Sequence, residues 1–140
     1  MKTKKSSPVS MVISLILAFG LILLLNRAGS IEYRFEDTSF TVHTNVWGDK
    51  TVSYDEIEST ELRDSFDAGK RVSGYGTTRL SIGKFRNEEF GGYEIYAFEN
   101  SETVLVLHLQ DGNVLVLSGE DNAATEELYK RIENRPCSVQ

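Results

Sequence analysis

The chain has 140 residues and one cysteine, Cys137, which is enough for a single domain and too few thiols for an intrachain disulfide or a cysteine-based metal site. Its formal net charge of -6 is unevenly divided: Lys2, Lys4, Lys5 and Arg27 precede every acid, and the remainder carries 11 bases against 21 acids. A body this anionic repels nucleic-acid phosphates, so DNA and RNA are not expected as partners.

The first element is an apolar run, 9–25, reading VSMVISLILAFGLILLL, in which 14 of 17 residues are aliphatic, aromatic or Met and none is charged. At about 1.5 Å per residue such a helix is roughly 25 Å long, near the lower limit for crossing the hydrocarbon core of a bilayer. The sequence therefore predicts a transmembrane signal-anchor helix over 9–26 behind a cytoplasmic tail, 1–8. The three lysines ahead of the run outweigh Arg27 behind it, which keeps the tail in the cytoplasm and places the rest outside the plasma membrane. The alternative is a cleaved signal peptide, with Ala28-Gly29-Ser30 as its small-residue site. The body would then be secreted.

Beyond Ser30 the pattern changes to period two. Tyr33 and Phe35, then Phe40 and Val42, lie either side of Asp37-Thr38-Ser39 and predict a hairpin. Trp47-Gly48-Asp49-Lys50 makes the next turn, with short strands at 51–54 and 57–63. Tyr93, Ile95 and Ala97 alternate with Glu94, Tyr96 and Phe98 in a strand with some burial on both faces. The runs TVLVLHL (103–109) and NVLVLS (113–118) flank Gln110-Asp111-Gly112, the strongest hairpin signal in the chain. A helix follows: Asp121 or Asn122 can cap it, Glu126 and Glu127 suit its early turns, Leu128 and Ile132 share a face, and Pro136 stops it. The expectation is about seven strands in a barrel or two-layer sandwich, with the terminal helix closing one opening.

The order of these elements, with "YDEI" at 54–57, "GYGTTRLSIGKFRNEEFGGYEIYAF" at 74–98, "LQDGNVLVL" at 109–117 and "TEELYKRI" at 125–132, resembles the bacterial pleckstrin-homology-like (PH-like) domains found behind a membrane helix. The resemblance implies a mainly β, PH-like barrel or sandwich of about seven antiparallel strands with one C-terminal α-helix over 31–135, followed by a polar tail at 136–140. It implies little about function, since this fold serves lipid, peptide and protein binding alike.

No template for catalysis is complete. Gly74-x-Gly76 has Arg79 where the dinucleotide fingerprint needs a third glycine, and Gly83-Lys84 is followed by Phe85 where a P-loop needs Ser or Thr. His43 and His108 lack further ligands at metal spacing, and the acids between 55 and 67 form no calcium loop. No cofactor, metal or enzymatic activity is expected. The remaining feature is the stretch 70–86, where Lys70, Arg71, Arg79, Lys84 and Arg86 reverse the local charge and Tyr75 offers an amphipathic ring. As a candidate binding site it suits a protein partner or self-association at the outer face of the membrane. The alternative ligand is an anionic lipid headgroup or anionic small molecule held by the glycine-rich loop. A third, structural reading has these bases neutralise the acids of 55–67 across neighbouring strands.

Overall fold

The computed structural model describes residues 7–135, with the backbone alone at 25–28; the predicted tails and Cys137 lie outside the described residues or at their edge. Helix α1, Pro8–Ala28, starts with Pro in its first turn and a Ser7 side chain that accepts the Ser10 amide, both ordinary helix starters. Every described side chain on it is exposed, so it has no amphipathic stripe packed on the body. Among the described residues no helix is long and apolar enough to cross a membrane. A helix is present where one was expected at 9–26, but its crossing of a membrane finds no support among the described residues.

Two sheets follow. The first holds β1 (Ile31–Phe35), β2 (Ser39–Thr44) and β3 (Asp49–Ser53) as an antiparallel meander. The second holds β4 (Ile57–Arg63), β5 (Lys70–Gly76), β6 (Leu80–Asn87), β7 (Gly91–Phe98), β8 (Val104–Leu109) and β9 (Val114–Leu117), in the order β4-β8-β9-β7-β6-β5. Helix α2, Asn122–Glu133, ends the body.

Phe40, Val42 and Val52 of the first sheet meet Ile82, Leu105, Leu107, Leu115 and Leu117 of the second, with Leu128 and Ile132 of α2 packed into the same core. Alternate residues of the second sheet (Phe85, Tyr93, Ile95, Val106 and Val116) point the other way into a second apolar layer. The loop 64–69 covers that layer with Phe66 and Ala68, fastened by the Tyr93 hydroxyl donating to the Ala68 carbonyl (2.5 Å) and the Asn87 side chain donating to that of Asp67 (3.0 Å). Burial on both faces explains why β8 and β9 read as unbroken Val/Leu runs instead of alternating ones.

Two expectations change, and of the barrel and the sandwich the structure takes the second. There are nine strands among the described residues, β5 and β6 being the pair not counted from sequence. The second sheet is not purely antiparallel, because β9 lies between β8 and β7 and runs parallel to β7. The sheets form a two-layer arrangement and not a closed barrel. The Asp-Gly hairpin and the terminal helix are found where expected. Gly112 takes φ 90° in the turn between β8 and β9, and Asp121 caps α2 by accepting the Ala124 amide at 2.8 Å. Replacing Asp121 with alanine should cost about 1 kcal/mol, the usual loss for an N-cap, read as a shift of the urea midpoint without a change of slope.

Candidate functional site

The glycines of the 70–86 stretch are explained by strand pairing. Gly74 and Gly83 face each other across β5 and β6 with φ of 133° and 131°, values that side chains rarely adopt. A Cβ on Gly74 would lie 2.8 Å from the Gly83 Cα, and closer still to the Ile82 carbonyl oxygen. The motif lets two backbones touch, so it does not leave a cradle for phosphate. Gly76 has another use: the Arg71 guanidinium lies across the space its side chain would fill.

The six basic and aromatic candidates do not act as one set. Tyr75 is half-buried, packed on the core and on Gly29. Arg79 sits in the turn between β5 and β6 and donates to the Gly29 carbonyl at 3.3 Å, tying that turn to the end of α1. At the far end of the same strands Lys70 stands opposite Arg86, and Lys84 lies two residues before Arg86 on β6. Arg71 is on β5 between the two groups, its head folded back over Gly76. The structure thus brings together Lys70, Lys84 and Arg86 and separates them from Tyr75 and Arg79.

Lys84 and Arg86 line an open groove of about 540 Å³ whose apolar surface comes from Val72, Phe85, Tyr93 and Val114. Val72 is 67% exposed although every other large apolar side chain of β5 to β9 is buried or partly so. The Tyr93 hydroxyl is already committed to Ala68, and burial pushes its pKa up with Asp67 adding to the shift, so this residue offers a neutral ring. The one carboxylate in the groove, Glu94, lies 3.6 Å from the Lys50 ammonium and accepts from the Tyr96 hydroxyl at 3.3 Å.

Among the described residues, Lys70, Arg71, Lys84 and Arg86 have no carboxylate within 4 Å. This overturns the reading in which they neutralise the acids of 55–67. Most of those acids belong to β4 and its flanks at the opposite edge of the sheet, where Arg63 takes both Glu61 (2.9 Å) and Glu89 (2.5 Å), while Asp67 sits in the covering loop beside Asn87 and Tyr93 and pairs with none of the four cations. That clamp holds both carboxyl groups below their usual range, and the guanidinium also rests 5.2 Å from the Phe90 ring centre. Like charges left facing each other, as Lys70 and Arg86 are, destabilise a strand pair slightly. An anionic partner would relieve that cost.

Elsewhere the chemistry is sparse. His43 Nδ1 is 2.6 Å from Asp49 Oδ1 across β2 and β3, an arrangement that can orient a base. The hydroxyls next along that face, Thr41 and Thr51, bond each other at 2.9 Å, so neither is an activated nucleophile for it. No group of three metal-ligating side chains occurs among the described residues. The groove itself was only half legible: the cations stood out in the sequence, but Val72, Tyr93 and Val114 gave no sign of lying beside them.

A two-layer β domain with a C-terminal helix, an apolar groove and a cluster of unpaired cations is the form of a binding module. Residues 31–133 match the bacterial PH domain family, and the chain belongs to that family, whose domains are generally non-catalytic and commonly bind proteins or lipids. No curated protein and no solved structure matches the chain.

Proposed function

We propose that this chain is a membrane-anchored, non-enzymatic binding module that takes an acidic protein segment, from a partner or a second copy, in the groove lined by Lys84 and Arg86, with Lys70 opposite Arg86 on the neighbouring strand. Helix α1 is the anchor, with the N-terminus in the cytoplasm and the body at the outer face of the plasma membrane. Support for the anchor comes from the sequence, whose run 9–25 carries no charge, and from the exposure of every described side chain of α1, although the described part of that helix alone falls short of a span. The lysines of the sequence N-terminal to it supply the orientation.

The observation that carries the binding reading is the position of the unpaired cations. Chain entry from α1 is at Gly29, beside Arg79, Tyr75 and Leu80. Arg86 and Lys70 lie six residues along β6 and β5 from that end, up to about 20 Å for extended strands. Counter-ions screen charges beyond about 8 Å at physiological salt, so a headgroup in the anchoring bilayer is poorly placed to feel this cluster. A protein approaching from the water is well placed. Its segment should combine carboxylates for the cations with an apolar side chain for Val72, Phe85 and Val114.

A suitable test uses the full chain in neutral phosphatidylcholine vesicles, a poly-glutamate peptide containing a central leucine as probe, and separately added anionic vesicles as the lipid arm. The peptide should bind and weaken as salt rises, with Lys84→Glu plus Arg86→Glu lowering its affinity at least about tenfold, the loss of more than 1.4 kcal/mol expected when two attractive contacts become repulsive. Binding that survives both reversals, or an exclusive preference for anionic vesicles, would refute the protein-segment reading.

A further inference from the structure

We propose that the turn carrying Trp47 seats in the headgroup layer of the same bilayer, beside the exit of α1, and fixes the domain in one orientation on its anchor. This rests on the anchor reading above and adds a contact that the anchor alone does not require. Outside α1 only two large apolar side chains are exposed among the described residues, Val72 in the groove and Trp47, at 39%. Trp47 occupies the turn between β2 and β3, at the end of the molecule where the chain leaves α1.

Three contacts hold that end together. The Ser30 amide, two residues past the helix, donates to Asn45 Oδ1 at 2.9 Å. Arg79 of the neighbouring turn donates to the Gly29 carbonyl, and a Cβ on Gly29 would lie 2.8 Å from both Leu80 and Tyr75 side chains. The Trp47 turn is itself stiff, since Thr44 Oγ1 donates to the Gly48 carbonyl at 2.6 Å and accepts the Trp47 amide at 3.0 Å. The path from helix to domain therefore has little slack, and Trp47 is only two residues from the side chain that grips it.

An indole has an apolar body and one N–H donor, which suits the boundary between acyl chains and water better than either phase alone. Of the nearby acids, Asp49 is hydrogen-bonded to His43 and Glu32 lies 3.5 Å from Arg34. Lipid is favoured over a protein partner here because this end is continuous with an apolar helix, whereas the cations without carboxylate partners lie at the other end of β5 and β6.

Trp47 is the one tryptophan of the chain, so its fluorescence reads the contact directly. The full chain is reconstituted into phosphatidylcholine vesicles, floated on a density gradient, and measured with lipids brominated either high or low on the acyl chains. The proposal expects co-flotation, at least about twofold quenching by the shallow bromines, less by the deep ones, and relief of quenching in Asn45→Ala, as for an interfacial indole. Co-flotation with no bromine quenching overturns the seat while leaving the anchor standing. Absence of the chain from the floated vesicles overturns both.

Discussion

Gly83→Ala is expected to destabilise the domain by about 3 kcal/mol or more, through a φ that L-residues avoid and a collision with backbone. At φ 131° the added methyl would lie 2.6 Å from the Gly74 Cα and against the Ser73 carbonyl oxygen. Neither neighbour can rotate away, because both are main chain inside the β5–β6 ladder. Gly112→Ala is the matched control: its φ is 90°, but nothing lies within 4 Å of the new methyl, so only the conformational part, about 1 kcal/mol, should be lost. Urea midpoints at constant slope decide between them. Equal losses at the two sites would mean that the Gly74–Gly83 contact is not the reason for the glycine motif.

Alkaline pH should destabilise the fold more steeply than the ionisation of exposed tyrosines allows. The Tyr33 hydroxyl of β1 donates to the Ser118 carbonyl at 2.6 Å and lies 3.2 Å from that of Tyr96, tying the first sheet to the second. Its ring is partly accessible, yet the hydroxyl that ionises is enclosed, and burial pushes its pKa well up; the bond it donates to Ser118 is made only by the protonated form. The folded state therefore keeps this proton above pH 10, where the unfolded chain releases it. Stability is complete below about pH 10 and falls as pH rises toward the folded pKa, by about 1.4 kcal/mol per unit for one such group. Burial also raises Tyr96 and Tyr93, which steepens the fall. Tyr33→Phe should lose about 1 kcal/mol at pH 7, for the missing hydrogen bonds, and show a slope above pH 10 shallower by about 1.4 kcal/mol per unit. Parallel pH profiles for the two proteins would contradict the assignment.

Local signals in the sequence foretold local structure well. The alternation around Tyr33, Phe35, Phe40 and Val42 reports a hairpin because one face of that sheet is buried and the other is wet. Asp111-Gly112 reports a turn because few other pairs supply the required backbone, and Leu128 with Ile132 marks the one buried stripe of α2. Pairing was not legible. In β9 the run Val114–Leu117 is apolar on both faces, which shows that it is central but not that β7 is its parallel neighbour.

The site was legible as charge and illegible as place. Lys70, Lys84 and Arg86 stood out against an acidic chain, but their independence from the acids of β4 depends on β4 and β5 lying at opposite edges of one sheet. A loop of six residues, 64–69, joins those edges across the outer face, so neighbours in sequence become the most distant strands of the sheet. The apolar partners of the cations come from β5, β6, β7 and β9, which no short sequence window contains.

In the proposed arrangement the cationic groove faces away from the bilayer in which α1 would be anchored. That arrangement is tested most directly by attaching a fluorophore to single cysteines at Val72 or at Thr78, with Cys137 changed to serine, and measuring energy transfer to an acceptor lipid in vesicles carrying the full chain. Stronger transfer is expected from position 78 than from position 72, which lies four residues, about 13 Å, along β5 from Gly76. Equal transfer, or stronger transfer from position 72, would turn the groove toward the lipid and contradict the assignment of an acidic protein segment as its ligand.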